Sequence, residues 1–215
     1  MTRPLRADAE RNRRKLLDAA ADLFARKGLS VGLDEIARHA GVGVGTAYRR
    51  FPDKEQLIDA LFEERVGQVV ALAERAAERE DAWEGLVEFL TGNVELQSTD
   101  QGLKELIFGS RHGRARIESA RARIMPAVAR LVARAQAMDR LRDDVAQTDV
   151  ALMVFMLTGL ADLTRGAHPD VWRRQLRIVL DGLRTPAPQA MPAAPLSPDA
   201  LEQVIRALPA GTRHR

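Results

Sequence analysis

Residues 33–57, LDEIARHAGVGVGTAYRRFPDKEQL, decide the fold of this protein. Apolar residues recur in the first half of this segment at the three- and four-residue spacing of an amphipathic helix, at Leu33, Ile36, Ala37 and Ala40. Gly41 ends that helix, and a second short helix follows over residues 44–50 before Pro52 stops it. Two short helices joined by a glycine turn predict a helix-turn-helix, whose second helix enters the DNA major groove.

The second helix presents side chains suited to a DNA duplex. Its inward residues and their neighbours form a small core of Ala37, Ala40, Val42, Ala47 and Phe51, which leaves Val44, Gly45, Thr46, Tyr48, Arg49 and Arg50 facing outward. Arginines donate to phosphates or to guanine, hydroxyls donate to phosphates, and Val44 suits a thymine methyl group. Lys54 adds a positive charge at the start of the next helix, where the helix dipole already favours an anion. The alternative is an ordinary half-buried Tyr48 beside two solubilising arginines.

The flanking sequence predicts two long helices. The first covers residues 11–27 and ends at Gly28, behind a basic arm over residues 3–15. Asp53 caps the other helix, which extends to about residue 78, and Gln56 is placed to complete the cap.

Charge and composition narrow the class of protein. Residues 1–55 contain 12 Lys and Arg against 8 Asp and Glu, whereas the remainder of the chain is nearly neutral. A basic end on a neutral body is typical of nucleic-acid binding. The chain has no cysteine, and its four histidines form no ligand pair, so we expect neither a cofactor nor a metal. With no secretion signal and no apolar run long enough for a membrane, we expect a cytoplasmic protein.

The remaining sequence predicts helices and no strands. They cover residues 82–97, 101–108, 115–138, 149–164, 169–183 and 198–208. Pro126 predicts a kink or break in its helix, and the Pro- and Ala-rich residues 185–198 predict an extended linker. We therefore expect an all-α fold of about nine to ten helices, with a DNA-binding domain at 1–55, a larger helical domain at 56–184 and a tail at 185–215.

Four motifs in the N-terminal region identify a family resemblance. Residues 14–61, with AADLFARKGL, DEIARHAGV, GTAYRRF and DKEQL in that order, resemble the N-terminal domain of the TetR family of bacterial regulators. The remainder resembles the family in helix number and order, and more loosely the SbtR-like C-terminal type. The resemblance implies an all-helical homodimer, an effector-binding C-terminal domain and DNA contacts at Val44, Gly45, Thr46, Tyr48, Arg49, Arg50 and Lys54. Gly32, Gly43 and Val44 depart from the polar residues common in the family.

Two sets of apolar residues are candidates for the remaining functions. A dimer interface is predicted on the last two long helices at Val150, Val154, Leu157, Leu160, Ala161, Trp172, Leu176, Val179, Leu180 and Leu183. An effector cavity is predicted from Trp83, Leu86, Phe89, Leu90, Phe108, Met125, Met153 and Met156, with Arg111 and His112 nearby. A filled hydrophobic core is the alternative for the second set.

The function most consistent with these patterns is a sequence-specific transcriptional regulator. We expect a repressor that binds a palindromic operator as a homodimer and is released by an unidentified small-molecule effector, through a change in the long helix that Asp53 caps. The alternatives are an enzyme, a DNA-compacting or constitutive regulator that needs no ligand, and a protein-interaction module. No nucleophile elbow, phosphate loop or metal motif supports the enzyme.

Overall fold

The computed structural model describes residues 3–98, 113–184, 189 and 191–207, and nine α-helices lie in that part of the chain. They are α1 (Arg3–Lys27), α2 (Leu33–His39), α3 (Val44–Arg50), α4 (Lys54–Glu78), α5 (Ala82–Ser98), α6 (Gly113–Ala137), α7 (Gln147–Thr164), α8 (Val171–Leu183) and α9 (Pro198–Ala207). The described residues form no strand beyond an isolated bridge between Leu141 and Arg184. The predicted all-α fold is confirmed.

Two helices differ from the sequence prediction. α1 begins at Arg3, so the basic arm is the first part of a helix. α6 continues through Pro126 without the predicted break, because buried residues on the next two turns, such as Val128 and Leu131, hold it in the core. The helix predicted over residues 101–108 lies outside the described residues.

The chain divides into two compact units. The first comprises the described residues up to Val66 together with 113–116, and the second comprises Gly67–Ser98 and the described residues from Ile117 onward. Residues 54–66 of α4 therefore belong to the first unit. The boundary between the units lies at residue 66, whereas the sequence predicted it at residue 55. The physical reason is that the N-terminal core needs this part of α4 to bury Leu57, Ile58, Leu61 and Phe62.

The second unit is built around a close approach of α4 and α5. A Cβ atom at Gly85 would lie 2.3 Å from the carbonyl oxygen of Ala76 and 3.2 Å from Cδ1 of Leu131. Only glycine allows the backbones to come this near, and the small side chains of Ala73 and Ala76 continue the contact surface. α7 and α8 complete the core, which includes Trp83, Phe89, Leu157 and Trp172.

Residues 189 and 191–198, which we call the strap, are tied to the second unit. Arg142 donates to the carbonyl of Gln189 at 2.6 Å, and the Met191 N–H donates to Asp144 at 3.2 Å. Thr148 Oγ1 donates to the carbonyl of Leu196 at 2.8 Å. The predicted extended linker is therefore held by specific hydrogen bonds. None of the helices in the described ranges is long and apolar enough to cross a membrane.

Candidate DNA-binding site

The turn between α2 and α3 depends on the left-handed backbone of Gly41. Its φ is 63°, a conformation that side chains disfavour, and its N–H donates to the carbonyl of Arg38 at 3.2 Å. Val42 then donates to Ala37 at 3.0 Å and is buried. The turn ends α2 and leads the chain into α3, as the glycine sequence predicted.

α3 has a buried face and an exposed face. Ala47 is fully buried, and it joins Ile36, Ala37 and Phe51 in the core of the first unit. Val44, Gly45, Tyr48, Arg49 and Arg50 are exposed, whereas Thr46 and Lys54 are half-buried. Five of the six predicted outward residues of α3 are therefore exposed, whereas Thr46 and the predicted contact Lys54 are only partly accessible.

The guanidinium of Arg49 is oriented by its own helix. Its Nη2 donates to Thr46 Oγ1 at 3.1 Å, and its Nε donates to the carbonyl of Gly45 at 3.3 Å. Arg50 lies over the ring of Phe51, with 5.8 Å between the guanidinium carbon and the ring centroid. Because both contacts are exposed and local, each arginine keeps donors for an incoming anion.

Tyr48 has a neighbour that sequence reasoning missed. The carboxylate of Asp34, at the start of α2, raises the pKa of Tyr48, first as a hydrogen-bond acceptor and then through its charge. Tyr48 remains 45% exposed. No sequence signal identifies this pair, because it joins two helices whose side-chain positions depend on the angle of the turn.

Lys54 serves the fold as well as the candidate site. Its ammonium group donates to the carbonyl of Leu29 and lies 5.7 Å from the centroid of the Phe24 ring. Burial lowers the pKa of Lys54. Asp53 caps α4 as predicted, accepting the N–H of Gln56 at 2.8 Å. The Gln56 side chain donates to the Asp53 carboxylate at 3.2 Å.

The basic arm is less positive than its arginine content suggests. Arg11 pairs with Asp8, Arg13 with Glu10, and Arg14 with both Asp18 and Glu64. His39 is exposed, and its Nε2 lies 2.9 Å from Oδ2 of Asp22. Near the turn, positive charge is provided by Arg38, Arg49 and Arg50, of which Arg38 and Arg49 donate to backbone carbonyls of their own helices.

Eight of the ten predicted dimer-interface residues are buried within this chain. The structure buries Val154, Leu157, Ala161, Trp172, Leu176 and Leu180, and also Val150 and Leu183. Leu160 and Val179 are half-buried. The sequence pattern identified an apolar face on each helix correctly, but α7 and α8 bury those faces against α5 and each other. Their exposed apolar residues are Phe155, Met156, Leu163 and Ile178.

The predicted effector residues differ in burial. The structure buries Trp83, Leu86, Phe89, Leu90 and Met153 in the core of the second unit, while Met125 is half-buried. Met156 is 52% exposed, so it is not an interior residue of this chain. Phe108, Arg111 and His112 lie outside the described residues. A cavity does occur in the second unit, but between α6, the start of α7 and the strap.

The exposed α3 and its glycine turn define a helix-turn-helix DNA-binding protein. Residues 16–61 match the profile of the bacterial regulatory proteins of the tetR family, and residues 81–185 match the C-terminal domain of SbtR-like transcriptional regulators. A crystal structure of a TetR transcription regulatory protein from Mycobacterium vanbaalenii is 36% identical with a TM-score of 0.68, covering 85% of this chain and 100% of that one. The chain belongs to the TetR family of bacterial transcriptional regulators, which is not a family of enzymes.

Two further relatives mark the limits of the similarity. The HTH-type transcriptional regulator SrpR of Pseudomonas putida is 39% identical over 66 residues, which is 30% of this chain and 31% of SrpR. The chain thus spans about a third of the length of that relative. The FadR regulator of Bacillus subtilis, solved with stearoyl-CoA, is 18% identical with a TM-score of 0.65, covers 80% of this chain and 97% of its own, and shares the fold.

Proposed function

We propose that this protein is a repressor that binds a palindromic operator as a homodimer and leaves it when a small molecule binds the second unit. The exposed face of α3, formed by Val44, Thr46, Tyr48, Arg49 and Arg50, is the observation that carries the proposal. In the major groove, Arg49 contacts guanine, Tyr48, Thr46 and Arg50 contact phosphates, and Val44 meets a thymine methyl group. Gly45 allows the backbone to approach the duplex, and Lys54 contributes a further phosphate contact.

Selection of bound fragments from random duplex DNA tests the DNA-binding part of this proposal. Against a selected duplex, Arg49→Ala is expected to weaken binding by about 5- to 150-fold per half-site and to relax the preference at one base pair. Arg26→Ala is the matched control, because Arg26 is exposed on α1 and pairs with Asp22 in the same helix. Equal affinity of the wild type, Arg49→Ala and Arg50→Ala at low salt contradicts the assignment of α3.

The exposed apolar side chains of α7 and α8 support a dimer. Leu163 is 80% exposed, and Phe155 and Ile178 are each about half exposed. Phe155, Met156, Gly159 and Leu163 follow the three- and four-residue spacing of one outward helix face. A continuous apolar surface of this kind marks a protein interface, and two α7–α8 pairs form a four-helix bundle. The dimer brings two α3 helices to half-sites about 34–36 Å apart.

Charge substitutions on this face test the dimer. Phe155→Asp and Ile178→Asp are each expected to convert the dimer to a monomer in sedimentation equilibrium and to abolish tight operator binding. Arg177→Asp is the control, because Arg177 is also exposed on α8 but pairs with Asp181 of the same helix. A Phe155→Asp protein that remains dimeric places the interface elsewhere.

A buried orphan hydroxyl supports effector binding among α5, α7 and α8. Thr158 is 4% exposed in the core of α7, and its Oγ1 has no hydrogen-bond partner within the described residues. Such a group costs about 1–3 kcal/mol when it is left unsatisfied, and a ligand that donates or accepts there recovers that energy. FadR, which shares the fold, was solved with stearoyl-CoA. We propose a small molecule with one polar group aimed at Thr158 and a largely apolar body.

A thermal-shift screen of metabolites, followed by operator binding, tests the release mechanism. An effector is expected to raise the melting temperature and weaken operator binding through a coupling of about 1–3 kcal/mol, carried by α4. Thr158→Val preserves the shape of the side chain, so it should weaken the effector while leaving operator binding unchanged. Compounds that stabilise the protein but leave operator affinity constant contradict release by a ligand.

A further inference from the structure

The strap and α6 border an open cavity of about 280 Å³ that is separate from the core predicted to hold an effector. Its lining residues come from α6, the segment before α7, the first turn of α7 and the strap: Ala129, Val132, Ala133, Gln136, Val145, Ala146, Gln147, Thr148, Leu196 and Pro198. The matched C-terminal family profile ends at residue 185, so the wall provided by Leu196 and Pro198 lies beyond it. We propose that this cavity is a second binding site, for a compact, neutral and mostly apolar molecule that carries one hydrogen-bond donor.

The strap wall is anchored by polar contacts at successive positions. Arg142 is only 6% exposed and donates to the Asp144 carboxylate at 2.5 and 2.7 Å. Arg142 also donates to the carbonyl of Gln189, and Asp144 accepts the N–H of Met191. Thr148 holds Leu196, which itself lines the cavity. Arg121 donates to the carbonyl of Pro198. Both strap residues of the cavity wall are therefore fixed through their own carbonyls, so the site exists before a ligand arrives.

The chemistry of the wall selects the ligand. None of the lining residues carries a charge, so an ionic ligand would lose its hydration without gaining a counter-ion. The aliphatic side chains of Val132, Val145 and Leu196 favour an apolar body. The Nε2 group of Gln136 already donates to the carbonyls of Arg142, Asp143 and Val145, at 3.1, 3.3 and 2.9 Å. The Oε1 atom of the same amide is therefore the atom of Gln136 that accepts a hydrogen bond from the ligand.

The volume limits the size of the ligand. Pockets for drug-sized molecules begin at about 300 Å³. A cavity of 280 Å³ fits a molecule with one aromatic ring and a hydroxyl group. Phenol, which is neutral at pH 7, is the probe we choose. Toluene and benzoate are the comparison compounds of similar shape, because toluene lacks the hydrogen-bond donor and benzoate carries a negative charge.

Methyl NMR of the full chain tests the site. Millimolar phenol is expected to shift the methyl signals of Val132, Val145 and Leu196 to saturation, with toluene weaker and benzoate at least about tenfold weaker. Ala133→Leu fills the cavity and should abolish these shifts. Ala137→Leu, one turn further along α6 and outside the lining set, should leave them unchanged.

A second variant separates loss of the site from loss of the fold. Thr148→Val removes the bond to Leu196 while keeping the side-chain shape, so phenol should bind more weakly to a protein that still melts cooperatively. Three results overturn the proposal: phenol shifts located elsewhere in the protein, shifts retained in Ala133→Leu, or benzoate binding as tightly as phenol. Because the readout contains no DNA, operator binding does not affect the outcome.

Discussion

The carboxylate of Asp34 places both a hydrogen-bond acceptor and a negative charge beside the hydroxyl of Tyr48. An orienting bond reduces the side-chain entropy that DNA binding would otherwise cost, whereas the carboxylate repels the phosphates that Tyr48 is proposed to meet. Asp34 therefore has two opposite effects on operator affinity. Substitutions of Asp34 and Tyr48 separate these two effects.

Asp34→Asn is expected to strengthen operator binding, because the amide still accepts from Tyr48 and the repulsion is gone. Tyr48→Phe should weaken binding to all sequences about equally, since a phosphate contact carries no base preference. Fluorescence anisotropy over a salt series measures both. Weaker binding by Asp34→Asn would show that the carboxylate has a different role.

α2 begins at a glycine that contributes no side-chain cap. Gly32 has an extended backbone with φ of −89° and ψ of 161°, and a Cβ atom there would meet nothing within 4 Å. A serine at this position can accept from the N–H groups of the first turn. Gly41 differs, because its φ of 63° disfavours any side chain.

Gly32→Ser is accordingly expected to raise the free energy of unfolding by a few tenths to about 1 kcal/mol. Gly41→Ser should lower it, since it adds strain to the turn that directs α3. Urea unfolding followed by circular dichroism measures both variants. A Gly32→Ser protein less stable than the wild type would contradict the open space at the start of α2.

The crossing of α4 and α5 makes a similar comparison possible in the second unit. A Cβ at Gly85 collides with the carbonyl of Ala76, whereas one at Gly67 meets nothing within 4 Å. Gly85→Ala should lower the free energy of unfolding by about 1–3 kcal/mol, and Gly67→Ala should raise it by up to about 1 kcal/mol. Calorimetry of the two variants tests this. Equal melting temperatures would mean that the helices separate at no cost.

The stability of the second unit at acidic pH depends on the ion pair that holds the strap. The bond from Arg142, with help from the Met191 N–H, holds the pKa of Asp144 below its ordinary value of 3.8. A carboxyl group with a lowered pKa binds protons less readily in the folded state than in the unfolded state. Its stabilising contribution is therefore complete above the ordinary pKa and is lost as the pH falls through the folded pKa.

The melting temperature should thus fall more steeply below about pH 4 in the wild type than in Asp144→Asn. Asp143→Asn is the control, because Asp143 is exposed beside the same turn. Differential scanning calorimetry between pH 3 and pH 7 provides the comparison. Parallel curves for the wild type and Asp144→Asn would show that the pair does not stabilise the fold.

Sequence alone determined the helices and the module that they form. The spacing of Leu33, Ile36 and Ala37, the stop at Gly41 and the cap at Asp53 all act within a few residues, so local periodicity and capping chemistry are sufficient to predict them. For the same reason the helix at 44–50 and its outward residues were predicted from the sequence, as was the all-α fold.

The tertiary structure decided which neighbour each apolar face meets and which distant groups pair. The sequence shows that Leu157 and Trp172 are apolar, but it does not show which neighbour they contact. The packing of α7 and α8 shows that both face inward, while Phe155 and Leu163 face outward. The contacts of Tyr48 with Asp34 and of Arg142 with the strap join residues on different elements. Sequence patterns do not predict such contacts. Helical periodicity shows on which side of its own helix a residue lies, but it does not show where another helix is placed.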